Sequence, residues 1–161
     1  MAKPILLSVD DDIDVLRVVE RDLRSQYGAD YRVMGSESPE AALDLLKQLK
    51  LRNDDVALLL ADQRMPKMTG IEFFESILPI FPDPIRILIT GYTDINAVID
   101  AINRGQVYKY LTKPWHEQEI KIFIDKAYEV YSLRKENIEL TTKLINANQK
   151  LEFLARQALL S

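Results

Sequence analysis

Residues 56–66 read VALLLADQRMP, an apolar run that ends in an acid and leads into a proline-containing turn. Its first six residues are apolar without alternation, which is typical of a strand covered on both faces. Strands of that kind belong to parallel sheets that carry helices on both sides. The stretch therefore predicts a buried central strand with Asp62 at its carboxyl end.

Strands and helices are predicted to alternate through the first part of the chain. The predicted strands are residues 5–9, 31–34, 56–61, 85–90 and a shorter 108–111. Between them, apolar residues recur every three or four positions, beginning near Ile13, Ala42, Ile71 and Ile95. Ser38 and Pro39 suit the cap and the first position of the second helix. This alternation predicts an α/β fold with a parallel sheet.

Composition excludes several kinds of site. The 161 residues contain no cysteine and one histidine, so disulfides, thiolate zinc sites and histidine clusters are excluded. A net charge of −4 argues against a direct nucleic-acid interface, which needs Lys and Arg to neutralise phosphates. The apolar run near the N-terminus is too short for a signal peptide or a membrane span, so we expect a cytoplasmic protein.

Charged and polar residues lie at the carboxyl ends of the predicted strands, the edge where a parallel α/β sheet binds its ligands. Asp10-Asp11-Asp12 follows the first strand, Asp62 follows the third, Thr90 ends the fourth, and Lys113 follows the fifth. Carboxylate oxygens without His or Cys suit Mg²⁺ or Mn²⁺. A metal, a hydroxyl and an ammonium group together fit a phosphoryl group.

Each of these residues also has a simpler interpretation. Asp12 and Asp14 are favoured in a first helical turn by the helix dipole alone. Asp62 can be a turn former, and an isolated Lys113 is most often a solvated surface residue. The functional hypothesis depends on the joint occurrence of these residues at the ends of the correct strands.

Four motifs, taken in order, resemble the receiver domain of bacterial response regulators over about residues 3–130. They are VDD at 9–11, ADQRMP at 61–66 with Gly70, LITG at 88–91, and YLTKPW at 110–115. The resemblance implies a flavodoxin-like, doubly wound, five-stranded parallel sheet with strand order 2-1-3-4-5. It also implies that the protein is a signalling receiver in a two-component system, which catalyses only its own phosphorylation and dephosphorylation.

The same resemblance implies the roles of individual residues. Asp62 is the phosphoacceptor. Asp11, Asp62 and the backbone carbonyl of Arg64 ligate Mg²⁺, and Asp10 acts through water. Lys113 and Thr90 bind the phosphoryl group, and Thr90 and Tyr110 form the conformational switch. The donor is a histidine kinase or a phosphotransfer protein. How Gln63 and Arg64 affect the lifetime of the phosphoryl group stays open.

No glycine or proline interrupts residues 117–161, so one long helix is predicted. From Val130 a heptad pattern is readable, with Leu at most d positions and Asn137 at one a position, which favours a parallel two-stranded coiled coil. We expect a receiver domain at 1–128, and at 129–161 a coiled coil that makes a homodimer through 130–160. The pattern stops abruptly at Ser161, which suggests an output domain beyond it. The alternative is a helix that packs on another domain or frays.

Two competing functions are weighed against the receiver. Asp10 and Asp12 have the Asp-x-Asp spacing of Mg²⁺-dependent phosphatases of the haloacid dehalogenase kind, but Ile13-Asp14 follows where that family has Gly-Thr. A module for interaction or dimerisation that has lost phosphorylation is the other alternative. The presence of Asp62, Thr90 and Lys113 argues against it.

Overall fold

The computed structural model describes residues 3–91, Ile99, Val107, residues 109–113 and residues 117–160. Within them the chain forms a five-stranded parallel sheet with strand order β2-β1-β3-β4-β5. The strands are β1 (Ile5–Val9), β2 (Arg32–Ser36), β3 (Val56–Asp62), β4 (Ile85–Gly91) and β5 (Lys109–Lys113). The predicted α/β class and strand order are confirmed.

Four helices lie in the described residues: α1 (Ile13–Tyr27), α2 (Pro39–Leu51), α3 (Gly70–Ile77) and a C-terminal helix (Glu117–Leu160). The N-cap of α2 is Ser38, whose side chain accepts a hydrogen bond from the Ala41 N–H at 3.1 Å, as predicted. The helix predicted over 95–102 lies outside the described residues except for Ile99. No helix among the described residues is both long enough and apolar enough to cross a membrane.

Two hydrophobic clusters cover the two faces of the sheet. Side chains of β1 alternate between them: Ile5 and Leu7 face the cluster that includes α2 and α3, and Leu6 faces the cluster that includes α1. β3 is buried along its whole length, as its unbroken apolar run predicts. Burial of the strand on both faces holds the carboxyl end of β3 rigidly at the centre of the sheet edge.

The first part of the C-terminal helix packs on the domain through buried side chains, and the later part is exposed. Ile124, Ala127 and Tyr131 are buried with the α1 cluster. Polar contacts add to this packing, because the Tyr27 hydroxyl donates to Asp125 at 2.7 Å and Lys135 pairs with Asp55 at 2.7 Å. Every residue from 133 to 160 is exposed, so the helix projects away from the sheet.

Candidate functional site

Three carboxylates converge where β1 and β3 end side by side. Val9 pairs with Ala61 in the sheet, so the next residues in each strand direction, Asp10 and Asp62, are neighbours. Carboxylate oxygens of Asp10, Asp11 and Asp62 all lie within 4.8 Å of one another. The structure thus brings together the three acids that the strand ends indicate.

The cluster combines buried and exposed acids. Asp10 and Asp62 are 4% and 6% exposed, whereas Asp11 is open to solvent. Asp10 accepts a hydrogen bond from the Asp12 N–H at 3.0 Å, which stabilises its carboxylate. Three negative charges this close repel one another strongly in a partly buried site. The arrangement therefore favours a bound cation that offsets this repulsion.

The donor set fits a hard divalent cation. All three candidate ligands are carboxylate oxygens, and Mg²⁺ and Mn²⁺ prefer oxygen. One exposed side of the cluster leaves room for the waters that Mg²⁺ usually keeps. Asp10, Asp11 and Asp62 are accordingly the residues that can hold such an ion.

Thr90 lies next to the cluster on the neighbouring strand. Asp62 pairs with Ile89 of β4, so Thr90 comes one residue beyond that pair. Its side chain is fully buried, and its hydroxyl donates a long 3.4 Å contact to the Gly91 carbonyl. Such a weak contact leaves the hydroxyl able to exchange its partner for a stronger acceptor.

β5 carries the other two predicted residues. Lys113 is the last residue of β5, and its backbone pairs with Gly91, one residue beyond Thr90. The side chain of Lys113 lies outside the described part of the chain. Tyr110 pairs with Leu88 and is 42% exposed, so its ring is not packed in the core. The backbone therefore brings Lys113 to the edge of the sheet that holds the acids, and Tyr110 lies three residues before it.

The loop between β3 and α3 lies beside the acidic cluster. Arg64 is exposed, and the next residue, Met65, is buried in the core. At the end of the loop, Gly70 approaches the backbone of Asp62 so closely that an added Cβ would lie 2.7 Å from the Asp62 carbonyl oxygen. Sequence analysis missed the role of Gln63 in this loop, where its side chain accepts a hydrogen bond from the Ile71 N–H.

Asp12 has a structural role. It is the N-cap of α1, and its carboxylate accepts hydrogen bonds from the Asp14 and Val15 N–H groups at 3.0 and 3.3 Å. Asp14 lies in the first turn of α1. Asp14 thus lies where the simpler interpretation predicts, whereas Asp12 lies one residue before the helix, as its cap.

Comparison with known proteins identifies the family. The family model for the response regulator receiver domain matches residues 6–125. The hydrogenase transcriptional regulatory protein HoxA of Bradyrhizobium diazoefficiens is 31% identical over 131 residues, which are 81% of this chain and 25% of that protein. The chain thus spans about a quarter of the length of this curated relative.

Two solved structures are similar to most of the chain. A structure described as adenylate cyclase from Rhodopirellula baltica superposes with a TM-score of 0.74 at 30% identity, covering 88% of this chain and 98% of that one. The signal receiver domain of an HD domain-containing protein from Pseudomonas fluorescens Pf-5 gives a TM-score of 0.72 at 29% identity, covering 84% of this chain and 94% of that one.

Proposed function

The chain belongs to the response regulator receiver domains, and we propose that Asp62 is the residue that receives the phosphoryl group from a histidine kinase or a phosphotransfer protein. The observation that carries the proposal is the convergence of Asp10, Asp11 and Asp62 beside the buried Thr90. Of the three acids, Asp62 lies at the end of the central strand, between β1, which Asp10 directly follows, and β4, which contains Thr90. It therefore has candidate phosphoryl-binding groups on both sides.

The transfer is a simple exchange of bonds. A carboxylate oxygen of Asp62 forms the new P–O bond as the P–N bond of the donor phosphohistidine breaks, and the imidazole leaves with the electron pair. Because the carboxylate is a weak nucleophile, positioning and charge neutralisation carry most of the catalysis. The protein promotes only its own phosphorylation, and water later removes the group.

Asp11, Asp62 and the Arg64 carbonyl would hold Mg²⁺ or Mn²⁺, with Asp10 acting through water. A bound divalent cation supplies neutralisation of the negative charge on the phosphoryl oxygens. Lys113, whose backbone lies two strands from Asp62, would pair with another phosphoryl oxygen. These assignments give the three clustered acids and Lys113 roles in one reaction.

The response to phosphorylation would begin at Thr90. Within the described residues its hydroxyl makes a long contact to the Gly91 carbonyl, so phosphoryl oxygens on Asp62 would offer it a better acceptor. Tyr110, with its ring partly exposed, would then turn toward the space that Thr90 leaves. The size of this population shift is limited by the new contacts of the phosphoryl group.

Phosphorylation can be tested with a small donor. Acetyl phosphate with MgCl₂ should add one phosphoryl group to the parent protein in intact-mass spectra, and Asp62→Asn should remove the addition. Asp12→Asn is the matched control, because asparagine keeps the N-cap of α1 and lies outside the proposed site. Equal labelling of the parent and of Asp62→Asn would reject the assignment.

We further propose that residues 129–161 form a parallel coiled coil and that 1–128 is the receiver unit. Leucines at 133, 140, 144, 151 and 154 are each more than half exposed, so an isolated helix leaves a long apolar stripe in water. Burial of apolar surface yields about 25 cal/mol for each Å². Pairing two helices along this stripe would also let the two Asn137 side chains meet and fix the register.

Helix geometry makes receiver packing and dimerisation compatible. Tyr131 packs on the receiver, and Leu140 follows it by nine residues, about two and a half turns, so it lies on the opposite side of the helix. Leu133 and Leu151 also fall on this opposite side. Two helices can therefore pair through their leucines while each keeps its own receiver on the outside.

The pairing can be tested by disulfide formation, since the chain has no cysteine of its own. Leu140→Cys should crosslink two copies under mild oxidation. Glu139→Cys, one residue away and off the seam, should crosslink much less. Equal crosslinking at both positions would contradict pairing through the helix.

Relatives suggest how such a unit is used. The chain covers 25% of the HoxA relative, and we propose that the full protein is cytoplasmic and passes the receiver's change through the coiled coil to an output domain. The net charge of −4 favours protein partners over direct contact with nucleic acid for this segment.

A further inference from the structure

Gln63, the residue after the proposed phosphoacceptor, connects three parts of the site. Its backbone N–H donates to the Ile89 carbonyl of β4 at 2.8 Å, and its carbonyl accepts from the Gly70 N–H at 3.2 Å. Its side-chain oxygen accepts from the Ile71 N–H at 3.1 Å. One residue thus fixes both ends of the loop that runs from β3 to α3.

These contacts complete the N-terminus of α3. The first N–H groups of a helix have no partner within the helix and need acceptors from elsewhere. Thr69 supplies one acceptor, because its hydroxyl accepts from the Glu72 N–H at 3.2 Å. Gln63 supplies the acceptors for the two N–H groups before it, those of Gly70 and Ile71. The side chain of Gln63 therefore acts together with the Thr69 cap in fixing where α3 begins.

The position of α3 in turn fixes the loop that carries Arg64. Met65 anchors the middle of this loop in the core, and Gly70 holds its far end against the Asp62 backbone. Arg64 lies between Gln63 and Met65, so its carbonyl direction depends on both neighbours. Loss of the Gln63 side-chain acceptor would remove one of the two contacts that Gln63 makes with the start of α3, and so loosen that direction.

We infer that Gln63 is a positioning residue, whose side-chain oxygen orients the loop so that the Arg64 carbonyl faces a divalent cation beside Asp62. The inference rests on the proposed function, because it concerns the cation proposed to bind Asp11, Asp62 and the Arg64 carbonyl. Replacing a residue that positions a metal ligand, without binding the metal itself, typically changes metal affinity by about 10–100-fold. A measurable effect on Mg²⁺ binding is therefore expected from a residue that need not touch the ion.

The test compares variants of similar size that differ in the acceptor oxygen. Gln63→Met has nearly the same length but no oxygen, and it should weaken Mg²⁺ binding by about 10-fold in calorimetric titrations. Gln63→Glu keeps an acceptor for the Ile71 N–H and should bind Mg²⁺ at least as tightly as the parent. Gln63→Asn stays polar but is too short to reach Ile71, so it should bind Mg²⁺ as weakly as Gln63→Met. It replaces Gln63→Met in the comparison if that variant does not fold.

A purely structural role predicts a different result. In that case the variants would lower the urea midpoint without metal and leave the Mg²⁺ dissociation constant unchanged, which would overturn the inference. Equal weakening by Gln63→Glu and Gln63→Met would also overturn it. If the parent binds Mg²⁺ and is phosphorylated on Asp62, and the variants bind Mg²⁺ as tightly as the parent, only the inference about Gln63 fails. If the parent binds no Mg²⁺, the proposed metal site and the inference are both rejected.

Discussion

Gly70→Ala should destabilise the fold because α3 begins almost in contact with β3. An added Cβ would lie 2.7 Å from the Asp62 carbonyl oxygen and 2.7 Å from Leu88 Cδ1. Both distances are far below the roughly 3.5–4.0 Å at which carbon atoms pack best. The oxygen belongs to the backbone of a central strand and Leu88 is fully buried, so neither yields easily.

The expected cost follows from two opposing effects. Overpacking of this kind costs about 1–3 kcal/mol. Against this cost, alanine stabilises a helix interior by up to about 1 kcal/mol relative to glycine, and by less at the first helical position. We therefore expect a net loss of about 1–2 kcal/mol in the free energy of unfolding, seen as a lower urea midpoint at an unchanged slope.

Gly35→Ala is the matched control. Its added Cβ would meet the end of the Glu20 side chain, which can turn away at the cost of its 3.2 Å ion pair with Arg24. A surface pair of this kind is worth a few tenths of a kcal/mol. The midpoint of Gly35→Ala should therefore stay within about 0.5 kcal/mol of the parent. A Gly70→Ala protein as stable as Gly35→Ala would refute the reasoning about close approach.

Three further predictions concern pH, backbone strain and metal. Burial, followed by the hydrogen bond to Asp125 and its charge, raises the pKa of Tyr27 well above its ordinary value. The folded chain therefore keeps a proton that the unfolded chain releases above about pH 10, so the free energy of unfolding should fall as pH rises beyond that point. Urea midpoints measured between pH 8 and pH 11 should show this fall, and Tyr27→Phe should make it smaller. Lys67 has a positive φ of 69°, so Lys67→Gly should stabilise the protein by roughly 0.5 kcal/mol in the same assay, and a loss of stability would contradict this. Asp11→Ala should raise the melting temperature without metal, because it relieves like-charge repulsion of about 1 kcal/mol. It should also show a smaller rise in melting temperature than the parent when Mg²⁺ is added. An equal rise in both proteins would exclude Asp11 as a ligand.

The apolar runs of the sequence predict the strands well but not their ends. β1 begins and ends as predicted. β2 starts one residue later, because the Tyr31 N–H bonds to the Tyr27 carbonyl, and it continues through Gly35 to Ser36, which pairs with Val9. β5 likewise extends to Lys113 because that residue pairs with Gly91. Strand ends depend on the neighbouring strand, which local hydropathy does not describe.

The acidic cluster was predictable, and the contacts around it were not. Parallel strands bring their carboxyl ends to one edge, and the strand order that the resemblance implies places β1 beside β3, so Asp10 and Asp62 were expected to lie close together. The Gln63 side chain reaches a backbone N–H eight residues away through a loop of irregular shape, which no sequence periodicity encodes.

In the C-terminal helix, too, the sequence pattern predicts one feature and misses another. Ile138, which falls off the predicted heptad seam, follows Tyr131 by about two turns. It therefore lies on the receiver-facing side of the helix, where it lines a cavity of about 240 Å³ with Asp55 and Asp83. The heptad pattern alone could not distinguish this side from the exposed one.

The proposed role of Asp62 is tested most directly by locating the phosphorylated residue. After treatment with acetyl phosphate and MgCl₂, reduction with borohydride converts an aspartyl phosphate to homoserine, which tandem mass spectrometry can assign to one position. We expect homoserine at position 62 and at no other acid. Homoserine at Asp10 or Asp11, or none in a folded protein that binds Mg²⁺, would contradict it.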